Sequence, residues 1–230
     1  MLVVDKTIVI SLKEQELRRQ QTKIQLAKLG IKPNFLIVDR DVGHEERGCF
    51  NSHLLACKQV FTENLNHILI CEDDVLIRAF QPEQLEKINL FIDKKRHQFD
   101  VLYLGLIISK MWFTLYPSIV GTKGAGLHAY ILSRRGAEKL ANYQYEGTPI
   151  DKVIKHDFKC YSIYPIIAEQ YAETFMPSAI TPTRCHAPIK SEAFWQQNYA
   201  KQKWLPWKNL HKSFMEIFTA ATPLRGKIPL

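Results

Sequence analysis

Short apolar, β-branched runs that alternate with amphipathic stretches constrain this chain's fold more than any other feature. Residues Lys6 to Leu12 form the first such run, and Leu17, Ile24 and Ala27 follow at helical spacing until Gly30 ends the pattern. Asn34 to Asp39 repeats the strand signal. Phe50, Leu54, Cys57 and Phe61 then fall at i, i+4, i+7 and i+11, the apolar stripe of a second helix. His67 to Cys71 is a third strand. A polar helix over Pro82 to Arg96, strands over Val101 to Ile108 and Leu127 to Leu132, and a helix over Arg134 to Asn142 continue the series. Alternation of this kind predicts an α/β fold, a mostly parallel sheet with helices on both faces. Ligands of such sheets bind beyond the carboxyl ends of the strands.

With 230 residues, 46% of them hydrophobic, the chain can bury a sizeable core, which excludes a disordered protein. Its 31 Lys and Arg against 23 Asp and Glu give a formal charge of +8, which favours anionic partners: nucleic acid, phosphorylated sugars or an acidic membrane surface. The opening Met1 to Leu12 has the apolar character of a secretion signal, but Asp5 and Lys6 interrupt it and no small-residue cleavage site follows, so a first strand is expected there. No run approaches the roughly 18 to 20 apolar residues of a membrane-spanning helix. Five cysteines, at 49, 57, 71, 160 and 185 with no CxxC pair, fit the reduced thiols of a cytoplasm and speak against a cysteine-rich zinc site.

The composition changes near the end, so residues 1–186 are expected to be the catalytic domain and 187–230 an extension. From Ala187 there are seven Lys and Arg against two Asp and Glu, with Phe194, Trp195, Tyr199, Trp204, Trp207, Phe214 and Phe218 among them. This pattern reads either as an interfacial surface or as a terminal helix packing its aromatics on the domain.

The sharpest local feature is Glu72-Asp73-Asp74, directly after the apolar run HILIC. Along an extended chain Glu72 and Asp74 point to one side and Asp73 to the other, so two carboxylates can share one cation. A hard divalent ion, Mn²⁺ or Mg²⁺, takes such oxygen ligands and completes its shell with substrate phosphates, which suits a nucleotide-diphosphate leaving group. An acidic run that caps the next segment in solvent is the alternative. Asp151, in Thr148-Pro149-Ile150-Asp151, reads as a catalytic base or as a helix N-cap. His53 lies close to the apolar face of the second helix, where a hydrogen-bonded structural histidine is expected. His186, beside Cys185, is a candidate third ligand. Arg18 and Arg19 can grip a diphosphate or line a solvated helix face. The glycines 121, 124 and 126 contain a GxG that precedes a strand, so they form no dinucleotide-binding turn and read as a flexible loop beside a donor sugar.

Several segments together resemble glycosyltransferase family 25, the lipooligosaccharide biosynthesis transferases and their relatives acting on collagen hydroxylysine. They are IVISL with Arg18-Arg19 downstream, ERGCFNSH from Glu46 to His53, ILICEDDV, GLHAYILSRRGAEKL, TPID and YPIIAEQ. The resemblance implies a GT-A type fold and inverting transfer of galactose or glucose from UDP-galactose or UDP-glucose. The implied acceptor is a lipooligosaccharide or lipopolysaccharide at the inner face of the bacterial cytoplasmic membrane, which the enzyme meets as a peripheral protein. It implies metal ligation by Glu72 and Asp74, donor contacts from Ser11, Arg18, Glu46, Ser52, His53, Asp73 and Gln170, and Asp151 as the base. Outside the matching segments, Asp39 at the end of the second strand is expected on the donor side and His186 as the third metal ligand. Ser11-Leu12 stands where the family's first strand commonly ends in Asn-Leu. Three rival readings are a metal-dependent phosphoesterase, which needs carboxylates for two metals, a non-catalytic protein binding a nucleotide or anionic glycan, and nucleic-acid binding. No recognised module signature accompanies the scattered basic charge, so nucleic acid is not an expected partner.

Overall fold

The computed structural model describes residues 1–95, 98–177 and 189–221, with side chains to residue 218 in the last segment. The chain runs β1 (Lys6–Leu12), α1 (Glu16–Ala27), β2 (Asn34–Val38), α2 (Glu45–Thr62), β3 (His67–Glu72), β4 (Val75–Ile77) and α3 (Pro82–Lys95). Then come β5 (Val101–Phe113), β6 (Ile119–Ser133), α4 (Arg134–Leu140), α5 (Ile150–Asp157), β7 (Cys160–Ile163) and β8 (Ala168–Gln170). Three helices follow: α6 (Glu192–Ala200), α7 (Leu205–Lys208) and α8 (Leu210–Ala221).

The main sheet has the order β2-β1-β3-β6-β5-β7. β2, β1 and β3 are parallel, β7 is parallel to β5, and β6 pairs antiparallel with β3 and β5. Five strands therefore share one direction and β6 opposes them, the mostly parallel α/β sheet expected from the alternating pattern. Helices cover both faces. Ile8, Ile68, Ile70, Tyr103 and Tyr130 face α2, α4 and α5, while Val9, Leu69, Leu102, Leu104 and Ile131 face α3 and Leu26 of α1. A period of two sends successive side chains of one strand into opposite cores.

Three expectations need correction. Leu17 and Ile24 of α1 are 78% and 58% exposed, whereas Arg18, Thr22, Gln25 and Leu26 are buried. The helix lies over the segment that follows β3, so its inward stripe must satisfy backbone groups: Thr22 Oγ1 donates to the Asp73 carbonyl, and Gln25 Oε1 accepts from the Ile77 N–H. On α2 the buried stripe is Phe50, His53, Ala56, Cys57 and Val60, with Phe61 at the surface. Glycines 121, 124 and 126 form no loop, because they lie inside β6. A Cβ at Gly124 would come within 2.3 Å of the Ile107 carbonyl oxygen, so close approach of paired strands explains that glycine.

The C-terminal helices complete the edge of β5. Beyond Tyr103 that strand no longer pairs with β7. The buried Asn198 of α6 takes over, its Oδ1 accepting from the Ile108 N–H and its Nδ2 donating to the Leu106 carbonyl, both at 2.9 Å. Gln202 accepts from Ile166 N–H, and Ser213 from Phe113 N–H. Trp195 and Leu205 are buried, while Trp204, Trp207, Phe214, Met215 and Phe218 remain exposed. Asn198→Ala strips partners from two buried backbone groups, so urea unfolding should show a loss of about 2 to 4 kcal/mol. A loss under about 0.5 kcal/mol would show that the strand edge needs no such partner.

Candidate functional site

A cavity of about 400 Å³ opens beyond the carboxyl ends of β1, β2 and β3. Ser11, Arg18, Asp39, Glu46, Ser52, His53, Glu72, Asp73, Asp74, Asp151 and Gln170 all line it. These are the sequence-predicted site residues with one exception, His186, which lies outside the described residues. Among the described lining residues nine are carboxylates and three are Lys or Arg, so the pocket is acidic although the chain as a whole is basic.

Glu72 ends β3 and Asp73 and Asp74 form the turn into β4, so the turn, rather than an extended chain, divides the acidic cluster. Glu72 and Asp74 turn to the same side, where the Gln170 amide donates to Glu72 Oε2 at 2.8 Å and to both Asp74 oxygens at 3.3 Å. The pairing of β4 with β8 sets Val75 opposite Gln170 and thereby brings the amide to the carboxylates. Lys190 Nζ holds the other end of that amide, donating to Gln170 Oε1 at 2.8 Å. Asp73 turns away to the buried Arg18, whose Nη1 donates to it at 3.1 Å and stands 4.0 Å from Asp74. Arg18 also donates to the Pro177 carbonyl. Arg18 therefore lines no solvated face: its guanidinium is spent on the acidic turn. Arg19 fastens the end of β1, donating to Ser11 Oγ and to the Leu12 and Lys13 carbonyls.

Burial and the charges of Glu72 and Asp73 push Asp74 up to about 7, against the opposing charges of Arg18 and Lys190. Burial also acts to raise Glu72, but the hydrogen bond and charge of His53, with Lys190 and His128 nearby, outweigh it and hold Glu72 well below the usual carboxylate range. Burial raises Asp73, with the Ser11 hydroxyl and Arg18 opposing. His128 is buried, which pushes it down to about 4 and keeps it neutral. Two carboxylates that already converge on one weak donor, one of them driven towards protonation, fit a divalent ion with hard oxygen ligands. Glu72 and Asp74 are the residues that can hold it.

The remaining predicted residues occupy the walls. His53 is 1% exposed, its Nδ1 is 2.9 Å from Tyr130 Oη, and its Nε2 is 3.6 Å from Glu72 Oε1. It is thus a hydrogen-bonded buried histidine that also faces the pocket. Ser52 donates to the Gly48 carbonyl one turn back, and Glu46 accepts from Tyr145 Oη. Asp39 follows the end of β2. Asp151 is no N-cap: Pro149 holds that position, and Asp151 Oδ2 accepts from the Gly126 N–H across the pocket wall. Gly126 makes this contact at φ +78°, a conformation that favours glycine. Sequence reasoning missed Lys190, Tyr130 and Cys49. Cys49 and Tyr130 lay within quoted motifs, ERGCFNSH and GLHAYILSRRGAEKL, and the spacing of Cys49 four residues before His53 on one helix face was the available signal.

A mostly parallel α/β sheet thus presents paired carboxylates at the end of its third strand, facing a pocket. A family model described as glycosyltransferase family 25 (LPS biosynthesis protein) matches residues 36–154, just over half of the sequence. The chain belongs to glycosyltransferase family 25. It is 24% identical over 221 residues to procollagen galactosyltransferase 1-B of Xenopus laevis, covering 78% of this chain and 36% of that protein. With procollagen galactosyltransferase 1-A of Xenopus laevis it shares 25% identity over 176 residues, covering 69% and 29%. The chain thus spans roughly a third of the length of these relatives. Among solved structures, A197 from STIV gives a TM-score of 0.46 at 14% identity, covering 72% of this chain and 85% of that one. A glycosyltransferase involved in glycosylation of the major capsid of PBCV-1 gives 0.40 at 11% identity, covering 66% and 75%.

The raised Asp74 has a signed consequence. Between the ordinary carboxylate range and about pH 7 the folded chain binds more protons at Asp74 than the unfolded chain does, so its contribution to stability falls as pH rises. Glu72 has the opposite sign, adding stability above its unfolded value that is lost only under stronger acid. In chelator, Asp74→Asn should therefore gain stability on the wild type, on the order of 2 kcal/mol, between about pH 5 and pH 8. A constant difference between the two proteins across that range would show that Asp74 ionises normally.

Proposed function

We propose that this chain is an inverting hexosyltransferase that moves galactose or glucose from a UDP-sugar to a bacterial lipooligosaccharide or lipopolysaccharide acceptor. The observation that carries this reading is the acidic pocket itself, with Glu72 and Asp74 converging on the Gln170 amide. An anionic nucleotide-sugar is repelled by such a pocket unless a cation enters with it. Mn²⁺ or Mg²⁺ held by Glu72 and Asp74 supplies that charge and stabilises the departing diphosphate. His186 is kept as a candidate third ligand on its place in the sequence, beside Cys185, alone.

The chain's own residues do the remaining work. Arg18 fixes Asp73 and the turn that presents Glu72 and Asp74. Ser11, Asp39, Glu46, Ser52, His53, Asp73 and Gln170 shape the donor side of the pocket. Asp151, with one oxygen anchored on Gly126 N–H, is the base that takes the acceptor hydroxyl's proton. The names of the relatives, galactosyltransferases acting on procollagen, support a hexose donor.

Residues 187–230 are read as an extension that meets the membrane-borne acceptor. No helix among the described residues is long and apolar enough to cross a membrane. The exposed Trp204, Trp207, Phe214, Met215 and Phe218 lie among Lys201, Lys203, Lys208 and Lys212, a composition suited to an anionic interface on the inner face of the cytoplasmic membrane.

Release of UDP from UDP-galactose and UDP-glucose, with a truncated lipooligosaccharide as acceptor, tests the reaction. It should require Mn²⁺ or Mg²⁺, fall about 10²-fold in Asp74→Asn, and fall about 10² to 10⁴-fold in Asp151→Asn. Full turnover by a folded Asp74→Asn protein would remove the carboxylate pair from the mechanism. For the extension, replacing exposed Phe214 and Met215 together by serine should weaken binding to phosphatidylglycerol vesicles about tenfold or more. Unchanged binding would return these residues to an ordinary surface.

A further inference from the structure

We propose that Cys49, His53 and Glu72 form a second metal site, one for Zn²⁺ or another thiophilic divalent ion, opening on the same pocket. The three residues each offer a ligand atom, sulfur, nitrogen and oxygen, and these atoms lie within 4.8 Å of one another. Ligand atoms around a tetrahedral zinc stand roughly 3.3 to 3.8 Å apart, so closure needs movements of only about 1 Å. Cys49 and His53 are four residues apart on α2 and so share one helical face. Cys57, Cys71 and Cys160 are buried and do not line the pocket, whereas Cys49 is half-buried at its wall.

The imidazole is already aimed. Tyr130 Oη stands 2.9 Å from His53 Nδ1 and Glu72 Oε1 3.6 Å from Nε2, so in the metal-bound form Nδ1–H donates to Tyr130 and the Nε2 lone pair turns to an ion that takes the place of the direct contact with Glu72. Metal-bound histidines are held by a partner on the far nitrogen in the same way. When the ion binds, the Cys49 thiol loses its proton to solvent as the metal–sulfur bond forms, and water from the pocket takes the fourth position.

Glu72 connects this set to the hard-oxygen pair. Its Oε1 faces His53 while its Oε2 meets Gln170 beside Asp74. A thiophilic ion therefore draws Glu72 away from the Asp74 side, and the expected effect on a Mn²⁺-supported reaction is inhibition. The site itself stands on Cys49, His53 and Glu72 and does not depend on the sugar-transfer reading.

The test is a Co²⁺ titration of the full chain after chelator treatment. A single equivalent should give a near-ultraviolet thiolate-to-cobalt charge-transfer band that Zn²⁺ displaces. The band should vanish in Cys49→Ser and persist in Asp74→Asn and Cys185→Ser. In the wild type, Zn²⁺ should slow alkylation of Cys49, read by peptide mass spectrometry, at least about tenfold. This last measurement decides the matter if Cys49→Ser fails to fold. No band in the wild type, a band surviving in folded Cys49→Ser, a band lost in Cys185→Ser, or unprotected Cys49 would each overturn the site.

Discussion

Two carboxylates held side by side with too little positive charge between them are the constraint around which this molecule is arranged. Glu72 and Asp74 meet one neutral amide, and the nearest full charges, Arg18 and Lys190, reach them from either side. Desolvated like charges at this spacing force one group towards protonation unless a cation joins them. Much of the surrounding structure serves to keep them there. The small β4–β8 sheet supplies Gln170, α1 turns a polar stripe inward to hold the turn after β3, and the start of the C-terminal segment supplies Lys190. A protein that only needed stability would replace this arrangement with apolar contacts; its retention is what a site of chemistry requires.

The same constraint resolves an apparent contradiction in the charge. A formal +8 suggests an anion-binding surface, yet the pocket is lined by carboxylates. A basic exterior draws a phosphorylated substrate or an anionic membrane towards the molecule, and an acidic interior admits the substrate only together with a cation. Long-range attraction and local selection are thus carried by different residues.

The frame was legible in the sequence because strand and helix periods are written by burial. β1, β2, β3 and α3 stand within one or two residues of expectation: β1, β3 and α3 each bury an apolar run or stripe, while β2 is a half-buried edge strand whose β-branched and aromatic residues carried the signal. The acidic site was legible for the opposite reason: Glu72, Asp73 and Asp74 follow an apolar strand at the edge where such sheets bind ligands. What escaped was whatever polar groups do when they are buried. The inner face of α1 is Arg18, Thr22 and Gln25, so Leu17 and Ile24 drew the apolar stripe to the wrong side. Asn198 completes the edge of β5 by a contact ninety residues distant in sequence, which no local pattern encodes. Glycines 121 to 126 read as loop because close strand pairing and loop flexibility call for the same residue.

The most direct test of the account is Mn²⁺ binding itself, followed by calorimetry on the wild type, Glu72→Gln and Asp74→Asn at about pH 8. The account predicts that the wild type binds one ion, that either substitution weakens binding by about tenfold or more, and that UDP tightens binding in the wild type. Equal Mn²⁺ affinity in all three folded proteins would contradict it, because the paired carboxylates would then hold no metal.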